Sequence, residues 1–176
     1  RTGWQRVRLT GRRLHLEPGM RLSIDGIATG YIVDDIAASL RSAGVRNALI
    51  DGGGEILSWG QGPHGPWRIG VRNPRRRDSI LMTISPAGRA VSTSGDYERS
   101  FRIGTAGFGC IVDPRTGRTV QDSPAAVTII APDCSTADAL STGCMVLGAT
   151  LAIPLLESLP GVEGLFVNAD LSYRTT

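Results

Sequence analysis

The order in which hydrophobic periods follow one another constrains this chain most: strand-like alternation comes in blocks, and helical spacing interrupts it in only two places. Trp4 to Leu9 and Arg13 to Leu16 alternate apolar and polar residues around Gly11, which predicts a β-hairpin. Met20 to Ile24 reads as a further short strand after the Pro18-Gly19 turn. From about Gly30 the period changes, with Ile32, Ile36, Ala37 and Leu40 at helical spacing and Gly44 as a stop signal. Strands then return. "NALIDGGGEIL" is a strand, a three-glycine break and the start of another, and "WRIGVRN" and "SILMTIS" form a hairpin. "GRAVSTSGDYERSFRI" begins as a strand and opens into a polar turn at Thr93 to Asp96. "GCIVDPRTGRTV" is a strand broken by Asp113-Pro114 and a Gly117 turn, and "AAVTIIA" is rich in β-branched residues. Helices follow over Ser135 to Gly148 and roughly Ala149 to Leu159, before a closing hairpin of "EGLFVNAD" and "LSYRT". Strands and helices do not alternate, which argues against a doubly wound parallel sheet. The expected fold class is α+β, helices packed on an antiparallel sheet.

Composition narrows the class. A chain of 176 residues, 41% hydrophobic and 20% charged, suits one globular domain. No apolar run reaches the length of a membrane span, and Arg1 to Arg13 lacks the apolar centre of a signal peptide. The net charge is +3, and all 19 basic residues are Arg. The densest group, Arg72 with Arg75, Arg76 and Arg77, has no interleaved aromatic residue and no nucleic-acid motif beside it. It reads as a solvated turn between strands, not a nucleic-acid surface. Cys110, Cys134 and Cys144 are odd in number and match no zinc spacing; Cys144 falls on the apolar helix as a small buried hydrophobe.

Glycine- or hydroxyl-rich breaks lie at Gly26 to Gly30, Gly52 to Gly54, Ser92 to Gly95 and Asp113 to Gly117. Such breaks offer backbone N–H groups and close approach, and acids flank them at Asp25, Asp51, Glu55 and Asp96. Together they suggest a phosphate-bearing ligand, although "GIATG" lacks the spacing of a dinucleotide fingerprint. "STADALSTGCMVLG" supports two readings. Ser135 with Asp138 forms a capping box, leaving Thr142 to bond back within the helix. Alternatively, Asp138 and Thr142, one turn apart on one face, offer hard oxygen donors suited to Mg²⁺ beside a phosphate.

Taken in series, "GIATGYIVD", "NALIDGGGEI", "AVSTSGDYERSF", "IVDPRTGRTV" and "STADALSTGCMVLG" resemble the ApbE family of FAD:protein FMN transferases from Leu22 to about Val167. The resemblance implies an α+β core related to the T-fold. It also implies a single domain over residues 1–176 without the region that family members carry ahead of these motifs. The implied chemistry is Mg²⁺-dependent cleavage of FAD, transfer of FMN through its phosphate to a Thr of a target protein, and release of AMP. Asp138, Thr142 and the Ala28 carbonyl are the implied metal ligands. Asp34, Glu55, Ser94, Gly95, Asp96 and the Ile111 backbone are the implied lining of the FAD pocket. Two positions depart from the family pattern. Thr29 stands where the family has Lys, and can hydrogen-bond a flavin or phosphate oxygen but brings no charge. Cys110 stands where the family has the His expected to act as base, leaving Cys110 or Asp113 for that role. The resemblance places the protein outside the cytoplasm, in the periplasm or at the cell envelope.

Overall fold

The computed structural model describes residues 3–97, 100–103, 106–120 and 123–176. Elements follow in the order β1 (Arg8–Thr10), β2 (Arg13–His15), α1 (Ala28–Ser42), β3 (Ala48–Asp51), β4 (Ile56–Trp59), β5 (Ile69–Asn73) and β6 (Arg76–Ile84). Then come β7 (Ala90–Gly95), β8 (Ser100–Ile103), β9 (Ala106–Gly109), β10 (Val112–Asp113), β11 (Arg118–Thr119) and β12 (Ala126–Ala131). The chain ends with α2 (Cys134–Leu147), α3 (Ala149–Glu157), β13 (Glu163–Val167) and β14 (Tyr173–Thr175). Six strands form one sheet in the order β14-β13-β12-β7-β4-β3, every neighbouring pair antiparallel. The α+β architecture is therefore as expected.

Alternation along the strands divides the core in two. Val127, Ile129 and Ala131 of β12 and Phe166 of β13 face the helices, packing with Val33, Ala37, Ala137, Met145 and Leu156. Ala126, Leu165 and Val167 face the opposite side, where Val71, Leu81, Met82 and Ile84 of the β5–β6 hairpin cover them. The sheet is thus a middle layer. Burying a side chain such as Phe166, 1% exposed, contributes about 2–3 kcal/mol each time.

Several expectations shift. Trp4–Arg6 is a 3₁₀ turn, so only Arg8–Thr10 and Arg13–His15 pair around Gly11. Met20 to Ile24 forms no strand, because no neighbouring strand pairs with it. The polar segment from Thr93 does not turn: β7 continues to Gly95, paired throughout with β12. In α1, Ala37 is buried as expected, but Ile32 and Ile36 are 55% and 43% exposed. Small residues are needed where α2 crosses, so α1 instead buries Gly30, Val33 and Ala37. Gly148, at φ 72°, ends α2 and starts α3, a backbone turn that favours glycine.

Candidate functional site

The site is built where α1 and α2 cross. Gly30, in the first turn of α1, lies so close to α2 that a Cβ would fall 2.3 Å from the Cys134 carbonyl oxygen. Two aspartates bind the pair reciprocally. Asp138 of α2 accepts the Gly30 N–H at 2.9 Å in a buried setting. Asp34 of α1 accepts the Cys134 and Ser135 N–H groups, both at 2.8 Å, and the Ser135 hydroxyl at 2.6 Å. Each helix start leaves N–H groups without helical partners and carries partial positive charge. Here each is satisfied by an acid from the other helix. Asp133 completes the α2 start by accepting the Thr136 N–H at 2.7 Å.

The capping box is therefore corrected. Asp133 is the N-cap, and Ser135 lies inside the helix with its hydroxyl on Asp34. Asp138 accepts a hydrogen bond from the other helix, at the Gly30 N–H. Nor does Thr142 bond back within α2. Its hydroxyl lies 3.1 Å from that of Ser94, which is 2.8 Å from Ser141 Oγ. Ser92 joins at 3.2 Å from Ser141, and Ser141 donates to the Asp138 carbonyl at 3.0 Å. Ser92 and Ser94, two residues apart on β7, share the face turned to α2. That Ser-x-Ser spacing, with Ser141 three residues after Asp138, was the available sequence signal for Ser92 and Ser141, neither of which was expected at the site.

The segment before α1 closes over this cluster. A Cβ on Gly26 would sit 3.2–3.4 Å from Thr142 side-chain atoms. Ala28 and Thr29 lie between this contact and the Gly30–Asp138 bond. The Gly52–Gly54 loop abuts the same turn: a Cβ on Gly52 would meet the Val33 and Thr29 methyls at 2.8 and 3.1 Å. Glu55, at the end of that loop, joins Asp34, Asp138 and Asp133 around Cys134. Burial first, and these negative charges second, push the Cys134 thiol up to about 12. Burial alone raises Cys144 to about 11.

Two of the glycine-rich breaks, Gly52 to Gly54 and Asp113 to Gly117, are closed by their own acids. Asp51 accepts from Gly53 and Gly54 N–H at 2.9 and 3.0 Å. Asp113 accepts from Arg115 N–H at 2.8 Å, and its carbonyl takes the Thr116 and Gly117 N–H groups. The neighbouring acids close the loops themselves. The acids near the two helix starts would repel a phosphate unless a cation lay between.

The other expected residues lie around this centre. Ser94 is part of it. Gly95 follows on β7, and Asp96 forms a two-pronged pair with Arg75 at 2.9 and 3.0 Å. Arg75 sits in the β5–β6 turn, so the Arg cluster is the inter-strand turn expected, with one member anchoring Asp96. Ile111 packs against the helix-side core, and its carbonyl accepts the Val120 N–H. Cys110 is exposed. Asp113 is clasped by Arg115, whose side-chain and backbone hydrogen bonds hold the carboxyl below its ordinary value. Arg115 also touches the Val146 carbonyl at 3.5 Å, one turn beyond Thr142. A separate cleft of about 440 Å³ lies beside β3 and the β5–β6 hairpin, lined by Leu49, Arg68, Arg72 and Ile80 among others. None of the expected site residues lines it.

Among the described residues no three His, Cys, Asp or Glu side chains cluster as a metal cage. Asp138 and Thr142, on one face of α2 with the start of α1 against both, offer oxygen donors only. Such a set fits Mg²⁺, which keeps several waters and completes its shell with ligand phosphate. The fold and site thus define a class: a helix-covered antiparallel α+β domain with clustered hydroxyl and carboxylate oxygens at two interlocked helix starts.

Comparison with known proteins makes the class specific. The chain belongs to the ApbE family, whose model matches residues 1–166. It is 34% identical over 160 residues to the FAD:protein FMN transferase of Vibrio cholerae, covering 89% of this chain and 48% of that protein. The Treponema pallidum protein of the same name is 33% identical, covering 91% and 47%. The crystal structure of the Thermotoga maritima ApbE protein superposes with a TM-score of 0.89 at 31% identity, covering 99% of this chain and 58% of that one. The flavin transferase ApbE from Vibrio cholerae superposes at 0.82, also 31% identical, covering 99% and 56%. The chain spans about half the length of the curated relatives it matches.

Proposed function

We propose that this chain carries the cation-binding and phosphoryl-transfer part of an FAD:protein FMN transferase, acting at the cell envelope. One observation carries the reading: the Asp138 carboxylate and Thr142 hydroxyl share a face of α2, and the start of α1 docks directly on them. In this reading Asp138, Thr142 and the Ala28 carbonyl hold Mg²⁺. The metal would neutralise charge on the FAD pyrophosphate as it is cleaved. Gly30 fixes the Asp138 carboxylate through its N–H. Thr29, Asp34, Glu55, Ser94, Gly95, Asp96 and the Ile111 backbone would line the FAD pocket. Asp34 does so while holding α2, and Asp96 while paired to Arg75. The acceptor Thr hydroxyl attacks the FMN-side phosphorus, the P–O bond to AMP breaks, and AMP leaves. The Thr proton passes to Cys110, to Asp113 or to water.

A second reading is FAD binding, or hydrolysis, without transfer. It is favoured by Asp113, since a carboxyl held low by Arg115 is a weak base, and by a thiol where the family has imidazole. The test is incubation with FAD, Mg²⁺ and a target peptide bearing an acceptor Thr. AMP release with a fluorescent peptide supports transfer. AMP with free FMN and an unlabelled peptide supports hydrolysis. Bound FAD with no AMP rejects both chemistries in favour of binding.

A further inference from the structure

The hydroxyls beneath Asp138 have little choice in where their protons go. A Ser or Thr hydroxyl carries one proton and two acceptor lone pairs. Ser141 Oγ donates to the Asp138 backbone carbonyl at 3.0 Å, an acceptor with no proton to return. Only the contact to the carbonyl has a fixed direction; for all three to be hydrogen bonds at once, Ser141 accepts from Ser92 Oγ at 3.2 Å and from Ser94 Oγ at 2.8 Å. Ser94 therefore donates to Ser141 and must accept from Thr142 Oγ1 at 3.1 Å. Direction propagates outward from one carbonyl: Thr142 to Ser94, Ser94 to Ser141, Ser141 to Asp138. Ser92 and Ser141 are fully buried, so water does not reorder the inner end of the chain. The Thr93–Thr128 pair on the other face of the sheet, at 2.9 Å, has no such anchor, and either partner can donate.

We infer that Ser94 and Ser141 are positioning residues that lock the Thr142 hydroxyl proton inward, leaving only lone pairs of its oxygen for the proposed cation. The functional half of this inference rests on the cation site proposed above; the proton order does not. A freely rotating hydroxyl would turn its proton towards an incoming cation part of the time and would have to be reoriented on binding. The serine chain removes that freedom beforehand, as outer hydrogen bonds do for metal ligands generally.

Neutron crystallography of the metal-free protein in D₂O reads the order directly. The expected result is deuterium on Thr142 pointing at Ser94, and on Ser94 pointing at Ser141. Deuterium on Ser94 directed at Thr142 overturns the inference. The functional half is read by Mn²⁺ titration in the presence of FAD, followed by electron paramagnetic resonance, with melting temperatures compared in parallel. Ser94→Ala should weaken Mn²⁺ binding about tenfold, and Ser94→Thr, which keeps the acceptor, should recover it. Binding by Ser94→Ala equal to that of the unaltered protein, with Thr142→Ala weakened, overturns the positioning role. Failure of the cation site itself has a different signature: the unaltered protein binds no Mn²⁺, and the neutron map still decides the proton order.

Discussion

Asp138 holds the helix crossing and, in the proposed function, a cation, and one atom separates the two roles. Its carboxylate oxygen accepts the Gly30 N–H, and its charge suits a cation. Asp138→Asn keeps an oxygen acceptor for Gly30 but loses the charge. The variant should stay folded, with a melting temperature near that of the parent; under the proposed function, AMP release from FAD should fall on the order of 10²–10³-fold. Loss of fold instead would show that the acid serves the helix crossing alone. The cysteines separate as clearly. Cys134 and Cys144 are buried, with thiols pushed up to about 12 and about 11, whereas Cys110 is exposed. A thiol reagent at pH 8 should therefore label Cys110 quickly and the other two only on unfolding, as mass spectrometry of the labelled peptides would read. At this scale the sequence was partly legible. Asp138 and Thr142 could be paired because i, i+4 spacing is local geometry. The cap could not be placed, because Asp133, Ser135 and Asp138 all offer oxygens near one helix start. The choice was made by Asp34, whose bond to Cys134 spans 100 residues.

Between elements, the exchange of aspartates decides how α1 and α2 sit. Asp34→Ala strips the α2 start of acceptors for the Cys134 and Ser135 N–H groups and the Ser135 hydroxyl. It should cost about 2 kcal/mol in urea unfolding, the size of losing a good cap that also carries charge. Gly30→Ala acts through space instead of charge. Its methyl would strike backbone at Cys134, which cannot swing aside as a side-chain end can, so the helices must part, at about 3 kcal/mol. Most element types could be read from periodicity. β12 and the β5–β6 and β13–β14 hairpins lie where alternation and turn residues put them. The errors at β7 and α1 share one cause. Thr93 and Ser94 look like turn residues in sequence but continue β7, because Thr128 and the α2 hydroxyls satisfy them. In α1 the larger isoleucines suggested the core face, but close crossing selected the smaller residues.

Across the whole molecule, the sheet separates helices from a β-hairpin cover, and surface carboxylates set the response to acid. Arg115 lowers the Asp113 carboxyl and Ser172 that of Asp170, through side-chain hydrogen bonds first and backbone ones second. Both carboxyls are lower in the folded chain than unfolded. Their contribution is present above the ordinary carboxyl range near pH 4, and is lost as pH falls through the lowered values. The urea midpoint should drop between pH 5 and pH 3, and Asp113→Asn with Asp170→Asn should flatten that drop. The effect is modest, since Arg115 is 62% exposed and water screens its pair.

The bond from Gly30 to Asp138 joins positions 108 apart in the chain. A ribosome making this polypeptide releases α1 long before the acid that completes its first turn, while α2 emerges with Asp34 already waiting. The crossing of α1 and α2 can therefore close only late in translation, once β12 and the start of α2 have emerged. A chain stopped just short of residue 138 would have most of its strands and all of α1, but not the acid that holds the first turn of α1.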